Sequence, residues 1–99
     1  MPNNYINVGT ATAAAGTSTL YTAGAGTAVV GSLYVGNASG GTARTFSVKP
    51  GAAYTHTSVG LPSADAVQID GIVLAAADTL DVIGSETDVN FVFMGVEIS

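Results

Sequence analysis

Residues 67–83, VQIDGIVLAAADTLDVI, restrict what this chain can fold into more than any other stretch. Apolar side chains alternate at Val67 and Ile69, the run Ile72-Val73-Leu74 follows Gly71, and Leu80 and Val82 resume the alternation. Period-two alternation places one set of side chains on one face of a strand, and the small residues 75–77 with Asp78 suit a turn. The spacing therefore predicts two strands joined as a sandwich hairpin. No nucleophile, base or metal-ligating group is set against another within the stretch.

The same grammar extends in both directions. Residues 28–37 read as a full strand with Val29, Gly31, Leu33 and Val35 inward and Tyr34 opposite, and residues 43–49 as another with Phe46 and Val48 inward. Short strands are expected at 5–8 and 20–22, and a long closing strand at 89–99. Residues 24–27, 37–42 and 84–88 carry turn residues, and Pro50-Gly51 ends a strand because proline offers no N–H. The small residues 10–17 read as coil, since Ala13-Ala14-Ala15 has neither caps nor an apolar stripe to sustain a helix. Residues 51–62 read as the least regular segment, a projecting loop that carries Tyr54 and His56.

Seven to eight short strands at turn spacings of about 8–12 residues, without a long helix, define an all-β chain: an antiparallel β-sandwich of immunoglobulin-like or jelly-roll type. Residues 1–18 are expected to form an extended N-terminal arm with one short strand, and 19–99 a single sandwich domain.

The closing strand is apolar on both faces, with Phe91 and Phe93 on one and Val92, Met94, Val96 and Ile98 on the other. Only one set can fill a sandwich interior, so the other is covered by further structure or by another subunit. Composition favours the subunit: 9% of the 99 residues are charged, against about a quarter in an ordinary globular chain. A surface so poor in charge points to an assembly, with the contact formed by Phe91 and Phe93 or else by Val92, Met94 and Val96.

Seven carboxylates against Arg44 and Lys49 give a net charge of −5, which leaves little to neutralise phosphates of nucleic acid or an anionic membrane. Neither partner is expected. The absence of cysteine excludes disulfides and thiolate zinc sites. Met1 to Tyr5 has no basic or apolar leader pattern, and no run approaches the roughly 18 apolar residues of a membrane helix.

Candidate sites are sparse. His56 is the one imidazole, and with Ser58 it would have to act as base and nucleophile, but no nucleophile-elbow context surrounds them. Asp78, Asp81, Glu86 and Asp88 could offer oxygens to a calcium ion, but their spacing is not that of an EF-hand, and they read as a solvated acidic rim. Residues 24–27, GAGT, resemble a phosphate loop without its lysine or helix and read as a turn. Asn37-Ala38-Ser39 matches a glycosylation acceptor. Tyr5, Tyr21, Tyr34 and Tyr54 would make a sugar platform only if they met on one face, and otherwise serve as core or interface anchors. No catalytic, cofactor or metal residue is expected, and the chain reads as not an enzyme.

Two segments, TLYTAGAGTAVVGSLYVGN (19–37) and IVLAAADTLDV (72–82), with the closing VNFVFMGVEIS, resemble in their order the small β-sandwich virion structural proteins of tailed bacteriophages. The chain departs from that pattern at Ala77, where glycine usually precedes the aspartate. The resemblance implies a capsid decoration (cement) protein that stabilises the head lattice, or a tail- or fibre-associated receptor or carbohydrate-binding module. It implies a virion location after assembly in the host cytoplasm. The partners it implies are further copies in a homotrimer, the major capsid or tail protein, and a host surface glycan.

Overall fold

Each alternating run becomes a strand in the computed structural model, which describes residues 5–13 and 15–98. The strands are β1 (Tyr5–Ala13), β2 (Gly16–Thr22), β3 (Ala28–Asn37), β4 (Arg44–Pro50), β5 (His56–Leu61), β6 (Ala66–Leu74), β7 (Thr79–Gly84) and β8 (Val89–Ile98). No helix occurs among the described residues. Two four-stranded antiparallel sheets run in the orders β1-β8-β3-β6 and β2-β7-β4-β5. Only β4 and β5 are neighbours both in sequence and in a sheet; every other connection crosses between sheets. That order is the jelly roll, which decides against an immunoglobulin-like sandwich with its in-sheet hairpins.

Three local expectations are corrected. Residues 67–83 hold two strands and a turn, but they are not a hairpin: β6 pairs with β3, and β7 with β2 and β4. Alternation and turn chemistry specify strand, turn, strand, and are silent on whether the chain folds back in its own sheet or crosses to the other. The coil expected at 10–17 is largely strand, because β1 continues to Ala13 and β2 starts at Gly16, so the division at residue 18 falls inside β2. Backbone pairing to β8 and β7 does not need large side chains, and threonine suits a pleated edge. Residues 1–4 of the expected arm, Ala14 and Ser99 lie outside the described residues. Finally, β5 occupies 56–61 within the expected irregular loop, with Val59 opposite Phe46 and a bulge where Ser58 takes φ 47°.

The core lies between the sheets. Phe91 and Phe93 of β8 are fully buried with Val29, Leu33, Val35, Phe46, Val48, Leu74, Leu80 and Val82. Phe46 meets Phe91 edge-on with centroids 6.5 Å apart, and Tyr21 meets Phe93 at 5.7 Å. Phe93 also lies against the facing pair Gly31 and Gly95, where a Cβ on Gly31 would fall 2.9 Å from the Phe93 ring and 2.8 Å from the Gly95 Cα. Strands β3 and β8 can approach under the ring only because both positions lack side chains.

Hydrogen bonds lock the loops at each end. At one end Ala23 N donates to Asp78 O (2.8 Å), Ala77 N to Gly24 O (3.3 Å) and Gly51 N to Thr79 O (2.7 Å), so the β2–β3 and β6–β7 crossings hold each other. At the other, buried Asn37 carries the loops: its Nδ2 lies 2.9, 3.1 and 3.2 Å from the carbonyls of Thr42, Leu61 and Pro62, while Oδ1 accepts from Ser39 N. The Arg44 guanidinium grips Asp88 with two bonds of 2.9 and 3.0 Å, which ties β4 to the turn before β8 and holds that carboxyl below the usual carboxylate range.

Gly31→Ala is expected to lower stability by about 1–3 kcal/mol, the range for overpacking, measured by urea denaturation. Ala77 stands at φ 65°, a left-handed conformation that costs an L-residue roughly 1–2 kcal/mol, against roughly 0.5–1 kcal/mol for glycine's extra freedom in the unfolded chain. Ala77→Gly should therefore raise stability by about 0.5–1 kcal/mol in the same assay.

Candidate interaction surface

Strand β8 is flanked by β1 and β3, so it presents one face to the core and one to the outside. Phe91 and Phe93 take the inner face, which leaves Val92, Met94 and Val96 outward. The register Val30↔Val96, Ser32↔Met94 and Tyr34↔Val92 places those β3 residues on the same outer face, and Val30↔Val73 and Tyr34↔Gln68 add β6. Val73 (61% exposed), Met94 (57%), Val30 (44%), Tyr34 (40%) and Val92 (37%) thus share one sheet surface, and they are five of the six large exposed hydrophobics among the described residues. Val96 beside them is half-buried.

The other sheet is the control. Its outer face carries Thr17, Thr19, Thr22, Ser47, Lys49, Thr79 and Asp81 around one large apolar side chain, the half-buried Ile83, with Thr19 Oγ1 donating to Asp81 at 2.8 Å. An apolar outer surface is therefore a property of one sheet and not of the fold.

Two features shape the apolar face. Gly36 has open space where a Cβ would project, and Tyr34, Val92, Asn90, Ala66 and Gln68 border a depression of about 440 Å³ there. Opposite Ser32, β6 bulges at Asp70-Gly71 with Gly71 at φ 75°, which shifts Val67 and Ile69 into phase with Ile72 and Leu74. Asp70 Oδ1 accepts from Gln68 Nε2 (2.7 Å) and Ser32 Oγ (2.8 Å), and these bonds hold its carboxyl below the usual range.

The remaining candidates do not converge. Tyr54 is exposed in the β4–β5 connection with Lys49 Nζ 5.5 Å from its ring centre, whereas His56 begins β5 half-buried, its Nδ1 3.0 Å from Thr55 Oγ1. Ser58 N donates to Ser47 Oγ. Tyr21 lies between the sheets, where its hydroxyl donates to Glu97 (2.9 Å), and burial with that carboxylate pushes its pKa up. Tyr34 and Tyr54 are on different surfaces, so no platform forms from them, and the Tyr5 side chain lies outside what is described. Asp78 caps one end by accepting from Ala75 N, Asp81 sits on β7, and Asp88 pairs with Arg44 at the far end, so these carboxylates are spread along the sandwich. The Asn37 amide is consumed by its buried hydrogen bonds and is not presented as a glycan acceptor.

Alternation does not mark Val30, Ser32, Gln68 or Asp70 as surface residues, and it counts Val73 only within the apolar run 72–74. One signal was available. Val67 and Ile69 are odd-numbered and Ile72 and Leu74 even, so both pairs can face one core only if an extra residue intervenes, and Asp70-Gly71 stands between them.

No protein-family model matches the chain, and no curated protein does either. Among solved structures it is similar to a chain of the "Acidic stable capsid structure of Helicobacter pylori bacteriophage KHP30". The TM-score is 0.55 at 12% identity, over 99% of this chain and 94% of that one. A likeness of this kind is one of fold.

Outward and inward positions of β8 should respond oppositely to charge. Met94→Asp is expected to leave stability within about 0.5 kcal/mol, as for an ordinary surface change, whereas Phe93→Asp, which buries a carboxylate in the core, should abolish folding. Thermal melts followed by circular dichroism check both.

Proposed function

We propose that this chain is a non-enzymatic structural protein of a phage virion, a decoration (cement) protein that sits on the head lattice and stabilises it. The observation that carries this reading is the apolar outer face formed by β8, β3 and β6, set against the largely polar outer face of the other sheet. A free subunit leaves those side chains half in water, and covering each would contribute about 1 kcal/mol, half the effect of full burial. The jelly roll is an architecture used by viral capsid domains, and the fold neighbour comes from a phage capsid structure. Copies are grouped in threes, as the sequence resemblance implies for three-fold positions of a shell.

Jelly rolls also serve as lectins, and one observation favours a glycan-binding role as the second reading. Tyr34 walls the depression over Gly36, with Gln68 and Asn90 at its rim to hydrogen-bond hydroxyls. A tail- or fibre-associated module would use that surface.

Cryo-electron microscopy of purified virions separates the two. Density for this sandwich repeated over the capsid faces, with the β1-β8-β3-β6 surface covered, is the expected result. Density confined to the tail, together with glycan-array binding lost in Tyr34→Ala, would favour the second reading, and virions free of the chain would end both.

A further inference from the structure

The apolar face carries a single fixed charge. Asp70 stands at the β6 bulge beside Gly71, Val73 is close along the same strand, and its Oδ1 takes both hydrogen bonds, from Ser32 and Gln68. Oδ2 accepts no hydrogen bond from the described residues, so the carboxylate offers a second oxygen to whatever covers the sheet. Covering an ionised carboxylate with apolar surface alone costs several kcal/mol, which a cation or strong donor on the opposing surface offsets.

This chain is poorly equipped to supply that cation. It has two basic side chains. Arg44 is held by two bonds to Asp88 at one end of the sandwich, and Lys49 projects from the opposite sheet over the Tyr54 ring. His56 lines a cleft together with Asp70, but no hydrogen bond joins it to the carboxylate. A two-fold contact of this face with itself would place two Asp70 carboxylates in one apolar interface with no opposite charge.

We propose that the outer face of β1-β8-β3-β6 docks on a different protein chain, whose contact surface offers an aliphatic side chain to the depression over Gly36 and an arginine or lysine to Asp70 Oδ2. The apolar contacts supply area, and the ion pair selects the partner and its register. The proposal deepens the virion reading, in which that partner belongs to the shell, but the surface chemistry stands apart from it.

Two measurements keep the ideas separable. In the first, methyl resonances of the purified chain are followed by NMR during titration with a synthetic peptide of alternating arginine and valine, and with a glutamate–valine control. Val73 and Met94 are expected to shift with the arginine peptide only, and the shifts should vanish in Asp70→Asn. Equal responses to both peptides, no response, or shifts that persist in Asp70→Asn would overturn the proposal. In the second, the chain is co-sedimented with phage shells assembled without it. Binding should weaken at least about tenfold in Asp70→Asn and fall with added salt; binding indifferent to the substitution would overturn the proposal. Failure of the wild-type chain to sediment would end the virion reading, and the peptide titration would then decide the docking chemistry. Light scattering provides the remaining arm: an oligomer that Met94→Asp converts to monomer would assign the face to a second copy and overturn the proposal.

Discussion

The packing of Phe93 over the Gly31–Gly95 pair sets the geometry on which the sandwich depends. Strand β8 pairs with β1 on one side and β3 on the other, so its alternation decides which side chains enter the core from the middle of the sheet. With both glycines under the ring, the two strands close up and Phe93 reaches across to Tyr21 in the opposing sheet. Tyr21 in turn bonds Glu97 on β8, so an aromatic contact and a hydrogen bond join the same two strands across the sheet gap. A one-residue slip of β8 would send Val92 and Met94 inward and the phenylalanines out, which makes this register the most costly to violate.

Much of the architecture was legible because it rests on period two. The inward sets Val29-Leu33-Val35, Phe46-Val48 and Leu80-Val82 are buried where alternation puts them, and Pro50 closes β4. Pairing was not legible, because the GAGT turn and the turn at 75–78 are corners between sheets that hydrogen-bond to each other, a contact between segments far apart in sequence. The extensions of β1 and β2 through small residues, 9–13 and 16–19, were not legible either. Strand β1 is held by its ladder to β8, and Thr10 reaches Leu20 O at 2.9 Å, neither of which leaves an apolar period.

The interaction surface was half visible for the same reason. That β8 must leave one apolar set outside follows from its sequence, but alternation cannot say which set. The structure decides it through volume, since the two phenylalanines fill the interior with Phe46 and Tyr21. The rest of the face comes from β3 and β6, whose outward residues Val30, Tyr34 and Val73 are scattered in the chain and adjacent only in the sheet.

Three of the four edge strands of the sandwich carry a feature that disfavours indiscriminate pairing, β1 being the unbroken one. Open strand edges invite pairing with other chains unless bulges or charges interrupt them. Strands β2, β5 and β6 are each broken by a register shift, at Leu20, near Ser58 and at Asp70-Gly71. The β6 bulge has a second consequence, because the residue it inserts puts Asp70 at the margin of the apolar face. One irregularity therefore blunts an edge against backbone pairing and places a charge that disfavours apolar partners lacking a cation. Discrimination of this kind needs a repulsive element as well as an attractive one. A carboxylate pinned by Ser32 and Gln68 is better suited to it than a mobile one, since a fixed charge cannot swing away from an unsuitable partner.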